Sequence, residues 1–406
     1  MTAMPTTSPA QTPHQPPSPG SGKGRHHWWR WVAGVVVVLL VVFLGAAWYF
    51  SGRIASGALE STPSPAMPAF DDVKVVALDG TSVTLAKGPD APDNFDAAAT
   101  YSFAWDGGWG MGGPATANPD GTVTRALDVV TGMPPASGQL AAENRASWLG
   151  DPSTGFPVPK TDVMVGDYPA WFFPAADGST DRIAIAVHGQ NGNRSNMTRF
   201  VPMAHEAGLP VLDITYRNDV GAPPDPSGQL QYGQTEWRDL DAAVTWAREQ
   251  GATDVVLIGE SMGGAVVAAF LEESDQADLV SKLVLDAPML SLDETIQWNA
   301  REAMPVTGGA VPAPVIWGAE QVTSLRYGID WSKVDYLDDT SWLRVPTLVT
   351  HGTDDERVPV TVAESVKAAE PDLVTLETFP DAQHTEAWNW DAPRFESLVG
   401  SFLRNN

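Results

Sequence analysis

Gly259-Glu-Ser261-Met-Gly263 sets a serine between two glycines, directly after Val255-Val-Leu-Ile258 and directly before Gly264-Ala-Val-Val-Ala-Ala-Phe270. The first run reads as a strand and the second as a helix, so Ser261 is expected on a sharp strand-to-helix turn. Glycines on either side allow the close backbone packing that such a turn needs. The turn lifts the hydroxyl to a helix N-terminus, where free N–H groups favour a developing oxyanion. The chemistry this predicts is nucleophilic acyl transfer. The chain has no cysteine, which excludes disulfides, thiolate zinc sites and thiolate nucleophiles together.

A serine hydroxyl needs a base, and the chain has seven histidines. His14, His26 and His27 precede a long apolar run, His188 and His351 each end a strand-like run just before glycine, and His205 falls in a helical stretch. His384 remains, in the loop Pro380-Asp-Ala-Gln-His-Thr-Glu386 between the last strand and the last helix, and is the expected general base. The acid belongs between serine and histidine in this chain order. His351-Gly-Thr-Asp-Asp355-Glu-Arg-Val-Pro359 follows the strand Thr347-Leu-Val-Thr350, and Asp355 is the choice there to accept the imidazole N–H. Asp354 and Glu356 stand beside it, and Asp286, at the end of the preceding strand, is a more distant rival.

Two N–H donors are needed for the oxyanion. Met262 follows the nucleophile and supplies one; the loop His188-Gly-Gln190-Asn-Gly-Asn-Arg194 supplies the other, with Gln190 as donor and Gly189 admitting the backbone. There is no HExxH helix and no Cys/His cluster, so the chemistry calls for no metal and no cofactor.

The elements that must position these residues follow from periodicity. Arg182–Val187, Leu209–Thr215, Asp254–Ile258, Lys282–Leu285, Pro346–Thr350 and Asp372–Phe379 are short apolar runs of the kind a doubly covered parallel sheet buries. Helical stretches fall near Asn196–Glu206, Thr235–Gln250, Gly263–Glu273 and Val360–Ala369. A last helix begins at Ala392 with Phe395, Leu398, Val399 and Phe402 as an apolar stripe. Alternating strand and helix predict an α/β fold over 161–406, mostly parallel with helices on both faces. About sixty residues separate the fourth and fifth strands. Pro288–Leu343, with a helix expected at Leu292–Glu302, reads as a cap or lid insertion over the carboxyl edge of the sheet.

Upstream, residues 1–30 form an expected inside tail, proline-rich and disordered over its first 24 residues. Trp31–Phe50 holds twenty residues without a charge, enough to span a hydrocarbon core of about 30 Å, and tryptophans flank both ends. A cleaved signal peptide is the alternative, disfavoured by the long leader. Lys23, Arg25 and Arg30 precede the span and only Arg53 closely follows it, so the expectation is a single-pass cell-membrane protein with its N-terminus inside and the catalytic domain outside. Residues 51–160 read as a β-rich extracytoplasmic region with strands at Val73–Leu78, Ser82–Lys87 and Tyr101–Trp105. Gly108-Trp-Gly-Met-Gly-Gly113 matches GxGxxG, but prolines follow where a dinucleotide site needs a helix, so it reads as a glycine-rich turn.

The formal charge is −26, and a chain this acidic is not a nucleic-acid binder by bulk electrostatics. The first 50 residues hold three basic and no acidic groups, so the acidity belongs wholly to the part beyond the span.

From about residue 162 to the end, the chain resembles the α/β-hydrolase superfamily in its serine aminopeptidase-like and esterase-like branch. The motifs HG-Q, G-E-S-M-G-G, HG-T-D-D-E-R-V-P and Q-H-T occur in family order. The resemblance implies Ser261 as nucleophile, Asp355 as acid, His384 as base, and Gln190 and Met262 as oxyanion donors. Glu260 departs from it, since this branch often has histidine there. The expected function is a membrane-anchored serine hydrolase acting on a small-molecule ester. A peptidase or amidase with the same triad, and a non-catalytic binding module on the same fold, are the alternatives.

Overall fold

The computed structural model describes residues 1–2, 26–63, 69–92, 94–153, 155–304 and 309–405. The expected disordered tail therefore lies, apart from its first two residues, outside the described part. Met1–Ala46 form one unit and Ala47–Asn406 another. The apolar run forms helix α1, His26–Ile54, longer at both ends than the sequence span. Its residues from Val35 to Val42 are all exposed, and by length and composition the helix could cross a membrane.

Seven strands follow α1: β1 (Val73–Asp79), β2 (Ser82–Lys87), β3 (Tyr101–Trp105), β4 (Gly108–Gly112), β5 (Thr116–Ala117), β6 (Val123–Gly132) and β7 (Leu140–Asn144). Antiparallel pairings run β2–β1–β7–β3–β4–β6 and return from β6 to β2, a barrel-like circuit that leaves only the short β5 outside. Closure satisfies strand edges that an isolated small sheet would expose. Alternate residues Val73, Val75, Val83, Leu85, Tyr101, Phe103 and Trp105 fill its interior. The GxGxxG match is not a turn: it forms β4. There, a Cβ at Gly110 would collide with the Asp128 carbonyl and one at Gly112 with the Phe103 ring, so glycine serves as a spacer between strands.

The second sheet holds β8 (Thr161–Val165), β9 (Tyr168–Phe173), β10 (Arg182–Val187), β11 (Val211–Asp213), β12 (Asp254–Glu260), β13 (Val280–Asp286), β14 (Thr347–Gly352) and β15 (Val374–Phe379), in the order β15-β14-β13-β12-β10-β11-β9-β8. β10 to β15 are mutually parallel, and the β8–β9 hairpin, not expected from sequence, adds an antiparallel edge. β8 opens on Thr161-Asp162 and β9 contains Pro169, so neither reads as a continuous apolar run like the central strands.

Alternation within strands gives the sheet two buried faces. Ile183, Ile185 and Val187 of β10 enter the core with α3 (Trp237–Glu249), α4 (Met262–Glu273) and α7 (Thr361–Ala369), while Ala184 and Ala186 face α2 (Val201–Glu206) and α9 (Ala392–Arg404). α2 is preceded by a 3-10 segment, Arg194–Phe200, where the sequence reading has one continuous helix. α9 docks through Phe395, Val399 and Leu403, while Leu398 and Phe402 are only half-buried, so its contact stripe is rotated slightly from the expected one. The insertion between β13 and β14 contains α5 (Leu292–Asn299) and an unforeseen α6 (Ala313–Tyr327). α8 (Ala387–Trp390) is a single turn before α9.

Candidate active site

β10 hands the chain to β11 on one side of the sheet, and β12 pairs on the other, so the carboxyl ends of β10 and β12 flank a topological switch point. Ligands of open α/β sheets bind in such crevices. Ser261 follows β12 there, with φ 52° and ψ −118°, a left-handed conformation that costs a non-glycine residue about 1–3 kcal/mol. The neighbouring packing holds it in place. A Cβ at Gly263 would collide with the Val187 carbonyl, and one at Gly259 would lie 2.9 Å from the Gly263 carbonyl, so both positions require glycine. The Ser261 N–H donates to the Asp286 carbonyl at 2.9 Å.

The Ser261 hydroxyl donates to His384 Nε2 at 2.8 Å, and His384 Nδ1–H donates to Asp355 Oδ2 at 2.7 Å. All three residues are buried. Asp355 Oδ1 accepts the backbone N–H groups of Arg357 and Val358, which fixes the carboxylate plane. Burial alone would raise the Asp355 pKa; hydrogen bonds from His351 and His384 outweigh it and hold the carboxyl well below its usual range. Burial lowers the His384 pKa, Asp355 pulls it back, and the Arg145 and Arg357 charges push it down again, leaving it below the ordinary histidine value. A neutral imidazole at neutral pH is the form a general base requires.

The rival carboxylates face elsewhere. Asp354 and Glu356 are exposed. Asp286 accepts from Thr350 Oγ1 at 2.8 Å and lies 3.8 Å from Arg199. Glu260, the departure from the family pattern, is buried with Arg199 3.4 Å away. Arg199 also donates to the Thr385 carbonyl at 2.8 Å, so one buried guanidinium joins the residue before the serine to the residue after the histidine.

Met262 is the first residue of α4, so its N–H has no intrahelical acceptor. Gly189 approaches so closely that a Cβ there would lie 2.9 Å from Ser261 Cβ. The Gln190 N–H has no hydrogen-bond partner among the described residues. Its side chain is engaged, donating to the Ala58 carbonyl at 2.9 Å.

Several residues that the sequence reading set aside surround this constellation. His188 bridges Gly189 O and Asp219 Oδ2, at 3.0 and 2.9 Å, and stacks on Tyr216, whose hydroxyl donates to the His188 and Gly189 carbonyls. His351 Nε2 lies 3.2 Å from Asp355, a second imidazole on the acid. The two His-Gly pairs closing β10 and β14 were the signal available in the sequence. From the barrel, Tyr101 donates to Glu386 at 2.9 Å, two residues beyond His384. This long-range contact has no local sequence signature.

Ser261 and His384 border two cavities. One, about 380 Å³, is lined by polar groups including Asn94, Tyr101, Glu143, Arg145 and Glu386. The other, about 370 Å³, is mainly apolar and lies under the insertion.

A family model described as serine aminopeptidase S33 matches residues 185–330. The uncharacterized protein Rv2307c of Mycobacterium tuberculosis is 28% identical over 236 residues, 57% of this chain and 73% of its own length. YfhR of Salmonella typhimurium is 25% identical over 234 residues, 54% of this chain and 70% of its own. Among solved structures, the Pyrococcus furiosus esterase Pf2001 aligns with a TM-score of 0.46 and 23% identity, covering 61% of this chain and 92% of that one. The matched segment runs from β10 through the Ser261 turn into the insertion, within a parallel sheet of the expected order. Over residues 185–330 this chain thus matches the serine aminopeptidase S33 family model, in keeping with its resemblance to the α/β-hydrolase superfamily.

Proposed function

We propose that this chain is a membrane-anchored serine hydrolase that cleaves a carboxylic ester through an acyl-enzyme on Ser261. The observation that carries the reading is the continuous hydrogen-bond line from Ser261 Oγ through His384 to Asp355, on a serine in left-handed conformation. Ser261 Oγ attacks the carbonyl carbon as its proton passes to His384 Nε2, and Asp355 balances the imidazolium. The N–H groups of Gln190 and Met262 receive the oxyanion. The carbon–oxygen bond to the alcohol breaks, His384 returns the proton to the departing oxygen, and water then repeats the cycle to release the acid. The long apolar helix α1 supports a membrane anchor.

A fluorophosphonate probe and p-nitrophenyl butyrate test the reading on the full-length chain. Labelling and turnover that both vanish in Ser261→Ala are expected, and activity that survives the substitution rules the assignment out. Because the matching family model is a serine aminopeptidase, aminoacyl p-nitroanilides belong in the same assay. Faster turnover of amides than of esters would move the substrate class to peptides.

A further inference from the structure

The apolar cavity beside Ser261 has an unusual wall. On one side stand Leu292, Ile296, Val311 and Ile316 of the insertion; on the other stand Phe50 and Ile54, the closing turn of α1, followed by Gly57 and Ala58. Ser261 and His384 are among its lining residues, so a ligand bound there shares the cavity with the reacting atoms.

This wall is firmly attached. Ser51 Oγ accepts from Thr323 Oγ1 at 3.0 Å, and the Arg326 guanidinium lies 4.2 Å from the Trp48 ring centre, tying the helix end to α6. Leu59 is fully buried in the main core. The Ala58 carbonyl accepts from both Tyr232 Oη, at 2.7 Å, and Gln190 Nε2, at 2.9 Å. Asn191 donates to the Glu60 carbonyl and accepts from the Thr62 N–H. Residues 48–62 thus hold the same loop that carries Gly189 and Gln190.

Resting on the hydrolase reading above, we propose that this cavity is the acyl-chain site for a membrane-resident lipid ester, with Phe50 and Ile54 as specificity-determining residues. Three observations converge. The cavity is mainly apolar, as a hydrocarbon tail requires, and is lined in part by the serine and histidine. The polar cavity on the other side of the same two residues suits a hydrophilic alcohol part, with Asn94, Glu143 and Arg145 on its walls. Phe50 is the last residue of the charge-free apolar run and Ile54 lies one helical turn beyond it, so the site's own wall continues from the segment that would sit among lipid tails. The reaction is ester hydrolysis as above: the acyl–oxygen bond breaks, the polar alcohol leaves with the proton from His384, and water releases the fatty acid.

The test uses the full-length chain in non-ionic detergent micelles, with p-nitrophenyl butyrate and decanoate as probes. Each methylene that enters an apolar site favours binding about 3-fold, so decanoate should exceed butyrate in kcat/KM by at least about 30-fold. Ile54→Trp and Ile316→Trp fill the cavity from opposite walls, and each should lower that decanoate-to-butyrate ratio at least about 10-fold. A wild-type ratio of one or less, or a ratio unmoved in both variants, overturns the acyl site. Fluorophosphonate labelling of Ser261 is read in parallel: its absence, with no ester cleaved, refutes the hydrolase reading instead. Reconstitution into phosphatidylcholine–phosphatidylglycerol vesicles distinguishes the source of the chain. Release of fatty acid is expected, whereas cleavage of soluble decanoate without such release contradicts a membrane-resident substrate.

Discussion

Gln190 donates its side-chain amide to the carbonyl of Ala58 at 2.9 Å, joining the loop beside Ser261 to the turn that follows the apolar helix. The residue before it, Gly189, packs against Ser261, while the Gln190 side chain is held by the turn after the helix. Gln190→Ala keeps the backbone N–H and removes the tie. We expect kcat/KM to fall about 10-fold, equivalent to about 1.4 kcal/mol of transition-state stabilisation. Melting temperature should change little, since one neutral hydrogen bond contributes about 1 kcal/mol. Activity within twofold of wild type would separate the helix end from oxyanion geometry.

Arg199 is buried between Glu260, Asp286 and the Thr385 carbonyl. Burial pushes the Asp286 carboxyl up to about 6, with the Arg199 charge pulling it down. Removing the cation leaves two buried carboxylates without it, and breaking such a network costs about 3–5 kcal/mol. Urea denaturation of Arg199→Met should show a loss of that order, and adding Glu260→Gln should restore part of it. If the double variant is no more stable than the single one, Glu260 is not the partner that matters.

The barrel reaches the site through Tyr101 and Glu386. Tyr101→Phe preserves the ring packing and deletes the donor to a buried carboxylate, which costs about 1–3 kcal/mol where the acceptor stays dry. Because Glu386 lies two residues beyond His384, kcat should drop about 3- to 10-fold. A stability loss with kcat untouched would make the contact purely structural.

The pH profile follows from His384. Burial, together with Arg145 and Arg357, depresses its pKa, and Asp355 only partly restores it. A depressed value keeps the imidazole neutral to lower pH, so the acid limb of kcat/KM should lie below about 6.5, the ordinary histidine value. Arg145→Met removes one depressing charge and should move that limb upward. An acid limb at or above pH 7 in the wild type would contradict this electrostatic account.

Much of the fold was legible because its information is local. The central strands are continuous apolar runs, and the Gly-x-Ser-x-Gly turn carries its own steric signature in Gly259 and Gly263. Elimination among seven histidines then brought His384 forward and chain order brought Asp355, while Asp286 stood as a rival whose carboxylate the structure turns toward Thr350 and Arg199. What the sequence did not reveal is non-local. Arg199 reads as a polar residue of a short helix, yet it reaches residue 385. The β4 glycines read as a turn because their role as spacers depends on Phe103 and Asp128 of the neighbouring strands β3 and β6. Phe50 reads only as the end of an apolar span and Ile54 as the start of the β-rich region, and nothing in their own neighbourhood indicates that they line a cavity shared with Ser261.

The central claim is that Ser261 is a nucleophile activated by His384 and Asp355. Mass-spectrometric mapping of a fluorophosphonate adduct on the full-length chain tests it most directly. The expected result is a single adduct on the peptide containing Ser261, absent in Ser261→Ala and slowed about 10⁴-fold in Asp355→Asn, where the imidazole loses the carboxylate that fixes its tautomer. An adduct on another residue, or labelling of Asp355→Asn at the wild-type rate, would contradict the account.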